Sequence, residues 1–409
     1  MKRAILISSL YLLCIFYSCN KNENIELPPS VTSINPTSGG YGTELIISGS
    51  NFSPNFAENI VTIGGMSAEV KNSTSTTLTV LVPALDEGDL PIKVSTKAGT
   101  TDASTFKYIY DVLVAGSEMN SEGFQVAKYW KNGTAIKLSD GKSTISVSSI
   151  TMAGNTIYVV GTEYKASERN IKLWINGTES NVTTGTKASA FDITTDGTDI
   201  YIAGYENKGA QDIATYWKNG TPTYLTDGNR PALIRSIAIS GGNIYAAGFE
   251  YNESKAVAKY WKNGVPVALT DGLKSASSRD IAVEGNDVYV CGVESENSVE
   301  TAKFWKNGNV TTLGDKINRS FTVAMAVKGS STHITGNDNG LGRYWKNGIV
   351  TPFAQNESEA YPMAVYLVND DVFLAGTVSN TKAAYWKNGS QVILNDGTYS
   401  ATATSIYVR

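Results

Sequence analysis

Histidine occurs once in these 409 residues, as His333, and cysteine three times, as Cys14, Cys19 and Cys291. A Ser–His–Asp or Cys–His nucleophile system needs a histidine beside the nucleophile, and a zinc site needs several His or Cys ligands. Neither set can be assembled here. With Cys14 and Cys19 near the N-terminus, Cys291 has no partner for a disulfide within the folded part. Positive charge is also scarce: 34 Lys and Arg face 38 Asp and Glu, a net charge of −4, or −6 without Lys2 and Arg3. No basic stripe is present, which argues against a nucleic-acid partner. An oxygen-rich loop of the EF-hand kind is missing as well, so no metal and no cofactor are expected. Leu-rich amphipathic runs are absent, and with them the usual signature of helices.

What the chain has is Thr, Val, Ile and Tyr alternating with polar residues between Gly, Asn and Asp. That is the period-two pattern of short strands bounded by turns, and it points to an all-β protein. At this length one core does not suffice, so two or more units are expected. Lys2 and Arg3, followed by the 14-residue, largely apolar run Ala4–Tyr17, read as a secretory signal too short to span a bilayer comfortably. Its end, Phe16-Tyr17-Ser18-Cys19, resembles a bacterial lipobox. The resemblance implies that residues 1–18 are removed and that Cys19 is lipidated, with residues 19–27 as a polar tether. Several acyl chains anchor stably where one would not. The expected location is the outer membrane, lipid-anchored and exposed at the cell surface.

Residues 28–110 have a texture of their own, with Ile34-Asn35-Pro36, then Gly39-Gly40-Tyr41-Gly42-Thr43, then the alternating run Leu45–Phe52. Short strands are expected at Ile60–Ile63, Leu78–Val82, Leu90–Ser95 and Ser104–Ile109. This course suits an Ig-like sandwich. The pattern I-x-P-x-x-G-x-x-G-T, followed by a strand ending in Gly-x-x-Phe, resembles the IPT/TIG domain, with Val82-Pro83 and Gly88 fitting its usual course. The resemblance implies a spacer or interaction module without catalytic residues.

From residue 111 to 409 one phrase returns. Tyr-Trp-Lys-Asn-Gly or a close variant occurs seven times and holds every tryptophan: Trp130, Trp174, Trp217, Trp261, Trp305, Trp345 and Trp386. Their spacings of 44, 43, 44, 44, 40 and 41 residues mark a repeat architecture. Asn-Gly between two short strands is a strong hairpin signal, because both turn positions need positive φ. Four strands repeated seven times predict a seven-bladed β-propeller. Adjacent Tyr and Trp point to opposite faces of a strand, so both faces of each unit must be covered, as they are when blades stack around an axis. The tryptophans are therefore expected as structural wedges. Residues 111–116 read as a second strand without its first, and residues 404–409 as a first strand without successors. The C-terminal strand should thus complete the blade that residue 111 begins. The WD, kelch and sialidase signatures are absent. The Trp-Lys-Asn-Gly repeat resembles propeller domains of bacterial surface lipoproteins, which implies architecture rather than activity.

Candidate sites come from breaks in the symmetry. The loops after strands two and four share one rim, and the segments carrying Tyr164, Tyr205 and Tyr251 differ most between copies. Inner-strand positions are mostly small, except Tyr366 and Tyr407, whose strands become neighbours once the ring closes. Arg235 and Arg279 precede the inner strands of blades four and five. These seven residues are the candidate ligand-binding set. Carboxylate pairs are the one catalytic option left, and Asp192 with Asp280 is the inner-ring pair that could serve across the axial cavity. Cys291 and His333 read as core. Asp140, Asp227, Asp271 and Asp396 read as Asp-Gly turns.

The chain's plan resembles surface glycan-binding lipoproteins of polysaccharide-utilisation systems, which implies a lipid-anchored binding protein that recognises a glycan. Two alternatives stand beside it: a propeller glycoside hydrolase or lyase, and a scaffold that docks or adheres to protein. The composition leans against an enzyme. Exposed axial tyrosines favour sugar binding, buried paired carboxylates catalysis, and a flat apolar patch protein docking.

Overall fold

The computed structural model describes residues 26–409; the leader, Cys19 and most of the tether lie outside the described residues. The chain forms two compact units, one built on residues 26–39 and 43–107, the other on residues 40–42 and 108–409.

In the first unit the strands pair in the order Ser30–Asn35, Glu44–Ser50, Thr77–Leu81, Met66–Ser73, Ile60–Ile63, Gly88–Thr96, Gly99–Tyr108 and Ser38–Gly39. Alternate residues vanish from solvent: Leu45, Ile47, Leu78, Val80, Ile92 and Val94 are all fully buried. A single sheet cannot hide one face from water unaided, so these strands close over one another as an Ig-like sandwich. Met66–Ser73 is the strand that alternation did not reveal. It buries only Ala68, so its period-two signal is weak.

The second unit is seven four-stranded antiparallel sheets. Six blades are continuous in sequence, beginning at Thr144, Ala188, Ala232, Ser275, Ser320 and Ala360. The remaining blade takes Val112–Met119, Gln125–Lys131 and Thr134–Lys137 from the start of the unit and its inner strand, Ala401–Val408, from the C-terminus. Ser405 pairs with Ala115 and Ile406 with Val114, so the ring is closed as the phase of its ends predicts and Val112–Met119 is not left as an unpaired edge.

Each letter of the repeat has a task. All seven tryptophans are at most 1% exposed, and each one whose cluster is defined packs on the preceding blade, as Trp261 does on Tyr201, Ala203 and Ala214. The lysine pairs with an aspartate at or just before the start of strand two, in Lys131–Asp111, Lys218–Asp199, Lys306–Asp287 and Lys387–Asp371. The asparagine and glycine both hold positive φ, 49° and 82° at Asn263-Gly264, as the hairpin turn requires. The asparagine side chain does more. In every blade its Oδ1 accepts the N–H at the start of strand two, from Val112 to Asn132 and from Ile244 to Asn263, at 2.8–2.9 Å. Neither glycine nor an ionised aspartate could replace that amide, because neither offers a side-chain donor such as the Nδ2–H that Asn219 and Asn307 give to Asp199 and Asp287.

Candidate functional site

The axis of the propeller is a channel of about 620 Å³ lined by the seven inner strands. Each inner strand enters from the rim with the dissimilar loops and leaves at the rim with the Asn-Gly hairpins. In all seven the pairing with strand two slips by one residue, at Ser148, Phe191, Arg235, Arg279, Val323, Met363 and Thr404. These are β-bulges, and a bulge re-aims the side chain it inserts. It sends both the bulged residue and its successor to the channel wall, where strict alternation would send only one. A glycine faces every bulge. At Gly248 an added Cβ would stand 1.9 Å from the Leu233 carbonyl oxygen, which is why strand two ends its apolar run in glycine each time.

Arg235 and Arg279 therefore lie within their inner strands, not before them, at equivalent places in adjacent blades and at the channel's loop-side mouth. Phe191 holds the same place in blade three, on the other side of Arg235. The Arg235 guanidinium stands 5.0 Å from the Phe191 ring centre, Phe191 stacks obliquely on Tyr205 at 5.9 Å, and Arg169 covers Tyr205 at 5.3 Å. Tyr164 lies within electrostatic reach of both Tyr205 and Arg169. The structure thus joins Tyr164, Tyr205, Arg235 and Arg279 into one patch. It adds Phe191 and Arg169, for which the sequence carried no signal beyond being aromatic and basic. Tyr205 proves to be a strand residue, buried at 6% exposure, so it supports the mouth instead of reaching out from a loop. Tyr164 and Tyr251 also end strands, and both stay exposed, at 45% and 36%. Tyr251 packs edge-on against Phe249, apart from the arginines.

Tyr366 and Tyr407 are neighbours across the closure, their ring centres 5.0 Å apart. They sit three residues further along their strands than the arginine level, roughly 10 Å at strand rise. That places them toward the hairpin rim, not beneath the variable loops as expected. Burial and the adjacent phenol push the Tyr366 hydroxyl far above the usual range, so it stays neutral.

The carboxylates have a different task from the one the sequence suggested. Asp192 and Asp280 belong to blades three and five and flank Ser236 of blade four on one side of the channel. Asp192 accepts four hydrogen bonds, from Ser149 Oγ (2.9 Å), Ile193 N (2.8 Å), Ser236 Oγ (3.1 Å) and Ile237 N (3.0 Å). Asp280 accepts from Ser236 Oγ and Met325 N, both at 2.6 Å, and from Ile281 N at 2.8 Å. A serine hydroxyl stands where a scissile bond would have to lie, and main-chain N–H groups of the same strand (Ile193, Ile281) and of the next blade (Ile237, Met325) already occupy both carboxylates. The pair is an inter-blade belt, and it does not face across the cavity as a glycosidase pair would.

Ser236 has one proton for two carboxylate oxygens, so a proton on Asp280 completes the chain. Burial and the charge of Asp192 push Asp280 up to about 7, and burial raises Asp192 as well. For Asp280 the folded pKa exceeds the unfolded one, so its contribution is full below about 4 and lost as pH rises through 7. His333 runs the opposite way. It is buried, with Nδ1 2.5 Å from the Tyr344 hydroxyl. Burial and Lys346 lower it to about 4, so its contribution is lost as pH falls. Comparing the wild type with Asp280→Asn cancels the His333 term. Relative to this variant, whose Asn stays neutral, the wild type should lose stability between pH 5 and pH 8 in urea unfolding. An equal difference between the two at both pH values would mean that Asp280 takes up no proton.

Cys291 is fully buried, and its thiol is raised by burial and Asp280; it packs with Tyr289, Met325, Ile334 and Trp345. Asp140, Asp227, Asp271 and Asp396 each accept the N–H two residues on, at 2.8–3.0 Å. That is the turn-forming role expected of them. Among the described residues no cluster of His, Cys, Asp and Glu is arranged to hold a metal ion, and no helix is long and apolar enough to cross a membrane.

Fold and site together define a closed seven-bladed β-propeller with an axial channel, preceded by an Ig-like domain. Residues 29–108 match the IPT/TIG domain family, and this segment is an IPT/TIG domain. No curated protein matches the chain. Among solved structures, a structural genomics protein of unknown function from Bacteroides thetaiotaomicron is similar at TM-score 0.47 and 15% identity, over 93% of this chain and 98% of that one. An auxiliary nutrient binding protein from the same organism is similar at TM-score 0.36 and 15% identity, over 94% and 98%. Another auxiliary nutrient binding protein, from Bacteroides ovatus, gives TM-score 0.34 and 14% identity, over 94% and 99%. Likeness at this level decides nothing about what the present chain binds.

Proposed function

We propose that this chain is a cell-surface binding protein, lipid-anchored at Cys19 in the outer membrane, whose propeller takes a glycan at the loop-side mouth of its channel. The IPT/TIG domain serves as the spacer. The observation that carries the reading is the patch of Phe191, Tyr205 and Arg235 beside exposed Tyr164. Aromatic faces next to hydrogen-bonding cations suit sugar rings, which offer apolar C–H faces and hydroxyl edges. The catalytic alternative loses Asp192 and Asp280, whose oxygens are occupied by the belt.

The intact chain should retain a defined class of oligosaccharide on a glycan array, and Tyr164→Ala should weaken that binding without lowering the melting temperature. Retention of no glycan, or binding indifferent to Tyr164, would sink the reading. The anchor is tested separately. Cys19→Ala should move the protein to the soluble fraction and abolish incorporation of labelled fatty acid; a variant still labelled and still membrane-bound would refute lipidation there.

A further inference from the structure

We infer that the channel mouth is an oxyanion site, and that the glycan it takes is acidic, bearing carboxylate or sulfate groups. This rests on the binding function proposed above and narrows its ligand.

Two arginines at equivalent bulge positions of adjacent blades point into one opening. Like charges side by side are unfavourable unless something compensates them. The Nε of Arg235 and of Arg279 is buried without a hydrogen bond, and neither residue forms an ion pair among the described residues. Glu300, within electrostatic reach of Arg279, is already held by Arg319 at 2.6 Å. The channel's own carboxylates are engaged as well, Asp192 and Asp280 being held by six donor groups between them, with the Ser236 hydroxyl lying between the two. Burial and mutual repulsion lower Arg235 to about 10, still charged at neutral pH. Two guanidiniums with unused donors form a fork suited to the planar oxygens of a carboxylate or to sulfate. Phe191 beside them offers a face for the sugar ring that carries the anion.

The test uses the intact chain. Wild type, Arg235→Gln/Arg279→Gln and Arg235→Lys/Arg279→Lys are titrated with an oligogalacturonate, a heparin-derived oligosaccharide and a neutral galacto-oligosaccharide of matched length. Sodium sulfate, against sodium chloride of equal ionic strength, is followed by thermal shift. We expect an acidic oligosaccharide to bind about tenfold or more tighter than the neutral one, the effect of one charge-assisted hydrogen bond. The Gln pair should remove that preference and the Lys pair restore part of it. Sulfate at low millimolar concentration, below the range of its general stabilising effect, should raise the melting temperature of wild type more than that of the Gln pair, and it should compete with the bound oligosaccharide, the second a readout that needs no variant to fold. Preference for the oligogalacturonate assigns the anion to carboxylate, and preference for the heparin fragment assigns it to sulfate. Equal binding of neutral and acidic oligosaccharides, unchanged in the Gln pair, overturns the oxyanion site and leaves the glycan function standing. Binding of no oligosaccharide, with a sulfate shift confined to wild type, keeps the site and overturns the glycan function. No response to sulfate or to either acidic oligosaccharide overturns the site.

Discussion

Removing Thr404–Arg409 should leave a chain that aggregates or loses several kcal/mol of stability. These residues are most of the inner strand that closes the ring. Ala401–Val408 pairs with Val112 through Glu118 and buries Ala403, Ile406 and Val408. The lost segment also takes with it the bonds from Thr404 Oγ1 to the carbonyls of Ala115 and Val147, at 3.2 and 3.0 Å, and the Ser405 hydroxyl that accepts from Ile150 N at 3.3 Å. A new unpaired edge on Val112–Met119 and an opened channel wall would remain, and unpaired edges invite association between chains. Size-exclusion chromatography and thermal unfolding read the outcome. A monomer with the wild-type melting temperature would show that closure does not depend on this strand.

Trp261→Ala should cost about 3–5 kcal/mol, the range for emptying the place of a buried tryptophan. Trp261 is 1% exposed and wedges blade four against Tyr201, Ala203 and Ala214 of blade three. Trp261→Phe should cost much less, because the indole Nε1 is buried without a partner and no hydrogen bond is lost. Trp174 differs. Its Nε1 donates to the Leu138 carbonyl of the preceding blade at 2.9 Å, so Trp174→Phe strands a buried acceptor and adds about 1–3 kcal/mol. Urea unfolding of the four variants separates the two contributions: Trp174→Ala serves as the fourth. If Trp261→Phe proved as damaging as Trp261→Ala, the wedge would work through its nitrogen and not its volume.

Much of the fold was legible because it depends on short-range pattern. The spacing of Trp130 through Trp386 sets the number of blades. Positive φ at both turn positions demands Asn-Gly, and the adjacency of Tyr260 and Trp261 requires both faces of a blade to be covered. The phase of residues 111–116 and 404–409 implies closure, since each is a fragment of the same four-strand unit. In the first unit, I-x-P-x-x-G-x-x-G-T and the alternating Leu45–Phe52 run mark the IPT/TIG domain. All of these are decided within a few residues, or by counting.

The site was not decided that way. Alternation assigns side chains to faces only while pairing keeps its register, and a one-residue bulge in every inner strand reverses the parity at Arg235, Arg279 and Phe191. Depth along the axis depends on how far each strand has run before it meets the channel, which parted Tyr366 and Tyr407 from the arginines. The partners of Asp192 come from blades more than forty residues away on either side, and their main-chain donors turn a candidate catalytic carboxylate into part of a belt. Composition determined that this protein would be a ring of β-blades with little means for nucleophilic chemistry. Only the packing of one blade on the next decided that two arginines would share the mouth of its channel without an ion pair among the described residues.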